Sequence, residues 1–489
     1  MRVSNFDRKW PILDLSCSLV VMEGYYMLPC SPQFLCEDRF SLLDSYELQV
    51  PFWGLFNALM REVVNSPSGV INILETIAIS LRQKTDTDYG SLRDFMERLN
   101  DDFYTRTWPA LVGLALEMPS LFPKHSLTIL SLSSPQVNLS RRQTGCLVVH
   151  QFLCTLAAPT WQDGYQDFHI WYNSEQPHAG AVDAYLTALF AYFDRITKND
   201  EYSPLAADLA SWPISYTLHT NQDPLPTAHH MLLPLEVLEL SAATTSPEVL
   251  GIPDGASVIS ANKFIGFGRT GTQEETHVGA SPECCPAVLL TPPLDDNQAL
   301  VVVGPEAMIS ISGYGRDARC AELLLPSGDA AARHRQWAKR TMLFVDALEL
   351  DVSDRRGGLP DVLPGNIERE LRKAYTGFSS SHIVSPRDPF SVIYTGFWGC
   401  RTFGGNPDIK ALIQWCAASL AGSSMKFICS TSEQHAFAVV LRRFTEYASS
   451  VGVKTHELLG ILLDLTPGDL EGLQHPMEHV LNLLRRSRR

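Results

Sequence analysis

No stretch of this 489-residue chain runs for about 18 apolar residues without a charge, which argues against a membrane-spanning helix. Positive charge is scarce: 39 Lys and Arg stand against 54 Asp and Glu, a net charge of −15. Such a chain does not hold nucleic acid on a broad basic face, so direct DNA binding is not expected. Any polyanion it handles must be met at a local site. Cys-x-x-Cys pairs are missing. The 11 cysteines sit mainly in apolar runs such as Gly145-Cys146-Leu147 and Phe427-Ile428-Cys429. They read as reduced, buried thiols of an intracellular protein with no zinc site. Asp7 and Asp14 interrupt the segment that holds Arg2, Arg8 and Lys9, so no secretory signal is expected. The sequon Asn138-Leu139-Ser140 is then without consequence. There is no internal repeat, and the scattered glycines and prolines, 31 of each, exclude a collagen-like or low-complexity chain.

What is present is a globular profile, 45% apolar, on a length that fits two large or three ordinary domains. The texture changes near residue 205. Before it, apolar residues recur at three- and four-residue steps over 91–99, 108–121, 143–156 and 181–196, which predicts helices. After about residue 225, short apolar runs of strand length appear at 235–240, 256–259, 287–290, 300–303, 342–346, 391–394 and 425–429. Helical patterns lie between them at 366–375 and 408–420, and the end is helical again over 433–449, 456–463 and 476–486. The expected architecture is therefore mixed α/β: a helical accessory domain over residues 1–205, then a mixed sheet flanked by helices over 206–489. The concentrated positive charge is the tail Leu484-Arg485-Arg486-Ser487-Arg488-Arg489. It reads as a solvated helix end rather than a nuclear address.

Three segments can carry chemistry. The first runs from Asn262 through Gly266, Phe267, Gly268 and Gly271 to Gln273-Glu274-Glu275. Its glycines permit positive φ and close backbone approach to a ligand. A phosphate-cradling loop beside two carboxylates suits a phosphorylated sugar: one carboxyl protonates a leaving oxygen while the other holds a ribose hydroxyl. The second, Gly396 to Asp408, joins a strand to a helix that Asn406 can cap and Pro407 can open. A glycine-rich loop there directs N–H groups at an anion, and it carries Arg401 and Phe403. The third is Ser312-Gly313-Tyr314-Gly315, whose tyrosine can stack on a base.

In order and content these segments resemble the poly(ADP-ribose) glycohydrolase family. Gly266-Phe267-Gly268, the spacer Arg269 to Thr272 and Gln273-Glu274-Glu275 are similar to that family's glycine triplet and Gln-Glu-Glu signature, preceded by Asn262-Lys263-Phe264-Ile265. Thr395-Gly396-Phe397-Trp398-Gly399-Cys400, Phe403-Gly404-Gly405 and Lys410-Ala411-Leu412-Ile413-Gln414 resemble its second loop and helix. Glu370 to Tyr375 with Gly377-Phe378 resembles another stretch. Leu28 to Ser31, Leu153 to Leu156 and Tyr192 to Ile196 are similar to its helical region.

The resemblance implies a macrodomain-type core behind a helical domain, and hydrolysis of the ribose–ribose O-glycosidic bond of poly(ADP-ribose) without metal or cofactor. It makes Glu275 the catalytic carboxyl, with Glu274 and Asn262 positioning ribose hydroxyls beside Gln273. Gly266, Gly268 and the loop Gly399, Cys400, Arg401, Gly404 and Gly405 cradle the diphosphate. Tyr314 covers the adenosine and Phe403 packs beside the ribose. Partners follow: poly(ADP-ribose) on modified proteins as substrate and ADP-ribose as product, handled by a monomer in the nucleus or cytoplasm, away from membranes.

The chain departs from the family pattern in places. Phe267 replaces a glycine, where it either narrows the diphosphate site or turns outward. Phe397 stands where Asn is usual, and Arg401 and Thr402 replace small residues. The aromatic adenine contact near Cys429-Ser430 is missing. Two rivals to a polymer hydrolase are a poly(ADP-ribose) reader with little activity and a hydrolase of single protein-linked ADP-ribose. The acidic charge favours end-directed cleavage, since a surface gripping the polymer along its length should be more basic.

Overall fold

The computed structural model describes residues 24–43, 49–82, 88–162, 167–198, 212–226, 229–240, 245, 249–252, 254–324, 336–351, 359–386 and 388–488. The expected boundary near residue 205 lies outside them, as does Cys17.

An eight-stranded mixed sheet organises the chain. Its strands in chain order are β1 (Gln136–Leu139), β2 (Ile214–Thr220), β3 (Leu235–Glu239), β4 (Ala256–Ala261), β5 (Gln298–Val303), β6 (Thr341–Asp346), β7 (Val392–Thr395) and β8 (Ser424–Cys429). The spatial order is β1-β2-β5-β6-β4-β7-β8-β3. From β6 to β3 every pair is parallel, and from β1 to β6 every pair is antiparallel. The central β6 is buried along its whole length, which is why Met342-Leu343-Phe344-Val345 is an unbroken apolar run rather than an alternating one.

The period of two along these strands sends neighbouring residues into different cores. Leu300, Val302, Met342 and Phe344 join a cluster with α1 (Arg141–Phe152) and α2 (Ala179–Lys198). Val301, Leu343 and Val345 join a second cluster. There they meet α4 (Asn366–Phe378), α5 (Pro407–Leu420), α6 (His435–Val451), α7 (Thr455–Asp464) and α8 (Pro476–Ser487). The helical part thus covers one face of the sheet and the C-terminal helices the other.

Buried ion pairs join the helical part to the segments that flank the sheet. Arg141 meets Glu283 at 2.5 Å, and Arg195 meets Glu306 at 2.6 Å. Such pairs add little net stability, but removing one partner strands the other and costs about 3–5 kcal/mol.

Two expectations need correction. The run Ala287–Leu290 is a short helix, not a strand. It is buried on every side, and a four-residue apolar run carries no periodicity to decide the matter. The sheet also takes β1 from the half read as helical, where the exposed Gln136 and Asn138 mask the pattern. The tail is a helix end, as expected. Arg488 donates to the carbonyls of Val451 and Gly452 and pairs with Glu457, while Arg485 lies 5.0 Å from the Tyr447 ring centroid. The cysteines among the described residues are free, and all but Cys320 and Cys400 are buried. Among the described residues no helix is long and apolar enough to cross a membrane.

Candidate active site

The first two loops leave the carboxyl ends of β4 and β7, where ligands of parallel α/β sheets gather. Between them lies a cleft of about 340 Å³. It is lined by Asn262, Gly266, Gln273, Glu274, Glu275, Tyr314, Gly399, Cys400, Arg401 and Phe403. Gly268, Gly404 and Gly405 are not among its lining residues. Phe264, Phe267, Phe397 and Ser430 also face it, as does Gln162 from the helical part.

Gln273 and Glu274 hold the first loop to the sheet. The Gln273 amide accepts from Ser260 N–H and donates to the Val258 carbonyl at 2.8 Å, so both ends grip β4. Glu274 is only 9% exposed, and its two oxygens accept from Asn262 N–H at 2.9 Å and Gly266 N–H at 3.1 Å. Burial raises its pKa to about 8, while the two N–H donors pull the other way. Asn262 Oδ1 accepts from Phe264 N–H at 3.0 Å.

Glu275 sits one residue on, at the start of the short helix α3 (Gln273–Gly279). Thr272 caps that helix, and the Glu275 carboxylate reaches back in a capping box. Its Oε2 accepts from Thr272 N–H at 3.1 Å, from Thr272 Oγ1 at 2.9 Å and from Thr270 Oγ1. Its Oε1 takes no donor from the described residues and lies against Gly268, where a Cβ would sit 1.7 Å from it.

That contact corrects the expected role of the glycines. None of Gly266, Gly268 and Gly271 has positive φ. Gly268 leaves space for Glu275, and Gly271 leaves space for Gly315, whose carbonyl would lie 2.4 Å from a Cβ at 271. At Gly266 the nearest atom to an added Cβ is 3.6 Å away, so space does not demand glycine there.

The helical part grips the same loop. Trp171 Nε1 donates to the Gly268 carbonyl at 2.6 Å, Tyr185 Oη donates to the Thr270 carbonyl at 2.6 Å, and His178 Nδ1 accepts from Gly271 N–H at 3.0 Å. Phe267 packs on the stacked pair Phe168 and Trp171, with ring centroids 5.2 and 5.4 Å away. These four partners escaped the sequence reading. The aromatic run Phe168-His169-Ile170-Trp171 was the available signal, and it gave no direction.

The second loop is shaped by left-handed Gly399 (φ 69°) and Gly404 (φ 71°), where a side chain would be strained. Gly399 N–H donates to Ser260 Oγ at 3.1 Å and Gly405 N–H to the Gly399 carbonyl at 2.9 Å. Asn406 caps α5 by accepting from Asp408 and Ile409 N–H, as expected. Asp361 holds the Asn406 N–H with both oxygens at 3.0 Å, and burial raises its pKa to about 6. Beneath the loop Lys410, 1% exposed, pairs with buried Glu370 and lies 4.7 Å from the Trp398 ring centroid. Cys400 Sγ contacts the Trp398 carbonyl at 3.3 Å, and burial pushes its thiol up. The Phe403 carbonyl accepts from Leu350 and Asp351 N–H. Phe397 turns onto Phe427 and Phe437, with centroids 5.2 and 5.0 Å away.

The N–H groups of Gly266, Gly399 and Gly405 are therefore committed inside the protein. Among the described residues, the N–H groups of Phe267 and Gly268 on one loop and of Arg401, Thr402 and Phe403 on the other have no protein acceptor. Of these residues Phe267, Arg401, Thr402 and Phe403 line the cleft, so their N–H groups are the donors available to an anion there. Tyr314 follows an antiparallel strand, Ile309–Ser312, paired with Arg319–Leu323. Its hydroxyl is 3.1 Å from Thr402 Oγ1, and the Arg401 guanidinium lies 4.2 Å from its ring centroid. Among the described residues no group of three or more His, Cys, Asp or Glu side chains is placed to hold a metal ion.

Two family models match. The helical domain of poly(ADP-ribose) glycohydrolase matches residues 95–206, and its macro domain fold matches residues 244–437. A probable poly(ADP-ribose) glycohydrolase 2 of Arabidopsis thaliana is 23% identical over 378 residues, covering 66% of this chain and 70% of that protein. Poly(ADP-ribose) glycohydrolase 1 of Caenorhabditis elegans is 30% identical over 181 residues, covering 35% of this chain and 22% of that protein. A crystal structure of a mutant poly(ADP-ribose) glycohydrolase from Deinococcus radiodurans with ADP-ribose aligns with 49% of this chain and 96% of its own, at 16% identity and a TM-score of 0.31.

Proposed function

Since the chain belongs to the poly(ADP-ribose) glycohydrolase family, we propose that it hydrolyses the ribose–ribose O-glycosidic bond of poly(ADP-ribose) and releases ADP-ribose, with Glu275 as general acid and base. The observation that carries this reading is the posture of Glu275. Three donors fix Oε2, and Oε1 is left without a donor among the described residues, in a carboxylate that lines the cleft.

In the reaction Glu275 gives a proton to the leaving ribose oxygen as the C–O bond breaks, and positive charge develops on the anomeric carbon. Water then attacks that carbon and returns its proton to the same carboxylate, so the enzyme ends as it began. Glu274 and Gln273 brace the loop rather than share the proton, because their polar atoms hold backbone groups of Asn262, Gly266, Ser260 and Val258. The open N–H groups of the two loops and Arg401 meet the diphosphate. Phe403 borders the ribose, and Tyr314 covers the adenosine end. In this reading residues 1–205 form the accessory part that holds the glycine loop, and 206–489 carry the reaction.

The test is purified protein incubated with defined-length poly(ADP-ribose), with free ADP-ribose followed over time. Release that disappears in Glu275→Gln is the expected outcome. Retained polymer binding without any release would make the chain a reader instead.

A further inference from the structure

The two walls of the cleft are joined at its rim. Gly315 N–H donates to the Gly271 carbonyl of the first loop at 2.7 Å. One residue earlier, Tyr314 reaches the second loop, with its hydroxyl at Thr402 and its ring under Arg401. The backbone suits a fixed crossing. Gly313 and Gly315 are both left-handed, at φ 79° and 60°, and a Cβ at 313 would meet the Asp317 carbonyl at 2.1 Å. Tyr314, Arg401 and Thr402 all line the cleft. Gly271, Gly315, Tyr314 and the Arg401-Thr402 pair thus form a strap from one wall to the other.

Resting on the hydrolase reading above, we propose that this strap sets where the polymer is cut. By tying the walls together it makes the groove a blind pocket that accepts a chain terminus, so single ADP-ribose units leave first. Arg401 and Thr402 are the specificity-determining residues, acting through Tyr314. Both are exposed, so their contacts are individually weak and the strap opens at intervals. Losing the cation–π contact and the hydrogen bond together should raise its open fraction roughly tenfold. An open groove admits the polymer lengthwise, and internal bonds then reach Glu275. The net charge of −15 does not favour gripping the polymer along its length, in keeping with a cut selected at the cleft.

The experiment compares the parent protein with Arg401→Gly/Thr402→Ala on long poly(ADP-ribose), sizing products in the first few per cent of turnover. The ratio of oligomers to ADP-ribose is read within each reaction, so a change in overall rate does not move it. The parent should release ADP-ribose almost alone, and the double variant should raise the ratio at least about fivefold. Tyr314→Phe, which keeps the ring and loses the hydroxyl, should fall between them and serves if the double variant does not fold. A parent that cleaves, with ratios unchanged in both variants, overturns the strap's role alone. A parent that releases long oligomers first overturns it as well. A parent that releases nothing overturns the hydrolase reading and the proposal with it.

Discussion

The indole N–H of Trp171 donates to the carbonyl of Gly268 at 2.6 Å, linking the helical part directly to the residue against which Glu275 rests. The loop that aims the proposed acid is therefore held from outside the sheet. Trp171→Phe keeps the stack on Phe168 and deletes this hydrogen bond. A single such bond is worth about 1 kcal/mol, so kcat/KM should fall about fivefold to tenfold, and because Trp171 is buried the smaller ring also leaves a cavity that should lower the melting temperature by a few degrees. Unchanged kinetics would show that the loop holds its shape without the helical part.

Glu275→Gln separates two roles of one side chain. Glutamine also closes a capping box, as Gln143 does for Ser140 at the start of α1, so the helix start should survive. Turnover should nearly vanish while ADP-ribose binding, measured calorimetrically, stays within about threefold. Activity above roughly a tenth of the parent would move the acid role to another group.

Gly268 and Gly266 should respond oppositely to alanine. At Gly268 the methyl meets Glu275 Oε1 at 1.7 Å, so the carboxylate must leave its place. Gly268→Ala should lower kcat at least about a hundredfold. At Gly266 the nearest atom is 3.6 Å away and φ is not left-handed, so Gly266→Ala should stay within about threefold. Equal losses in both variants would refute the spatial argument.

Glu274 predicts a pH dependence of stability. Its folded pKa of about 8 lies above the ordinary 4.5, so the folded chain binds this proton more tightly than the unfolded chain. The resulting stabilisation is complete below about pH 4.5 and is lost as the pH rises through about 8. Thermal melts between pH 5 and 9 should fall more steeply for the parent than for Glu274→Gln. Parallel curves would place no titrating proton on Glu274.

Six of the eight strands and the two loops were readable in the sequence because their signals are local, whereas β1 and β2 were not. Apolar runs mark β3 to β8, glycines mark the turns, and Asn406-Pro407 marks a helix start. What escaped depends on distant partners. Glu370 and Lys410, 40 residues apart, lie in two separately recognisable stretches, and only folding makes them one buried pair under the second loop. Phe267 could be read as narrowing the diphosphate site or as turning outward; it docks on Phe168 and Trp171, so replacing it with glycine removes packing. The glycines of the first loop were read for their φ freedom, whereas two of them serve by having no side chain beside Glu275 and Gly315.

The buried seam has a bearing on how the protein can be taken apart. A fragment starting at residue 206 would keep Glu283 and Glu306 but lose Arg141 and Arg195, the cations that neutralise them. It would also lose β1 and so open the edge of β2. Its apolar sheet face, now shielded by α1 and α2, would become an adhesive surface in solution. The C-terminal half is thus not a transplantable module: expressed alone it should precipitate, while the intact chain should melt in a single calorimetric transition.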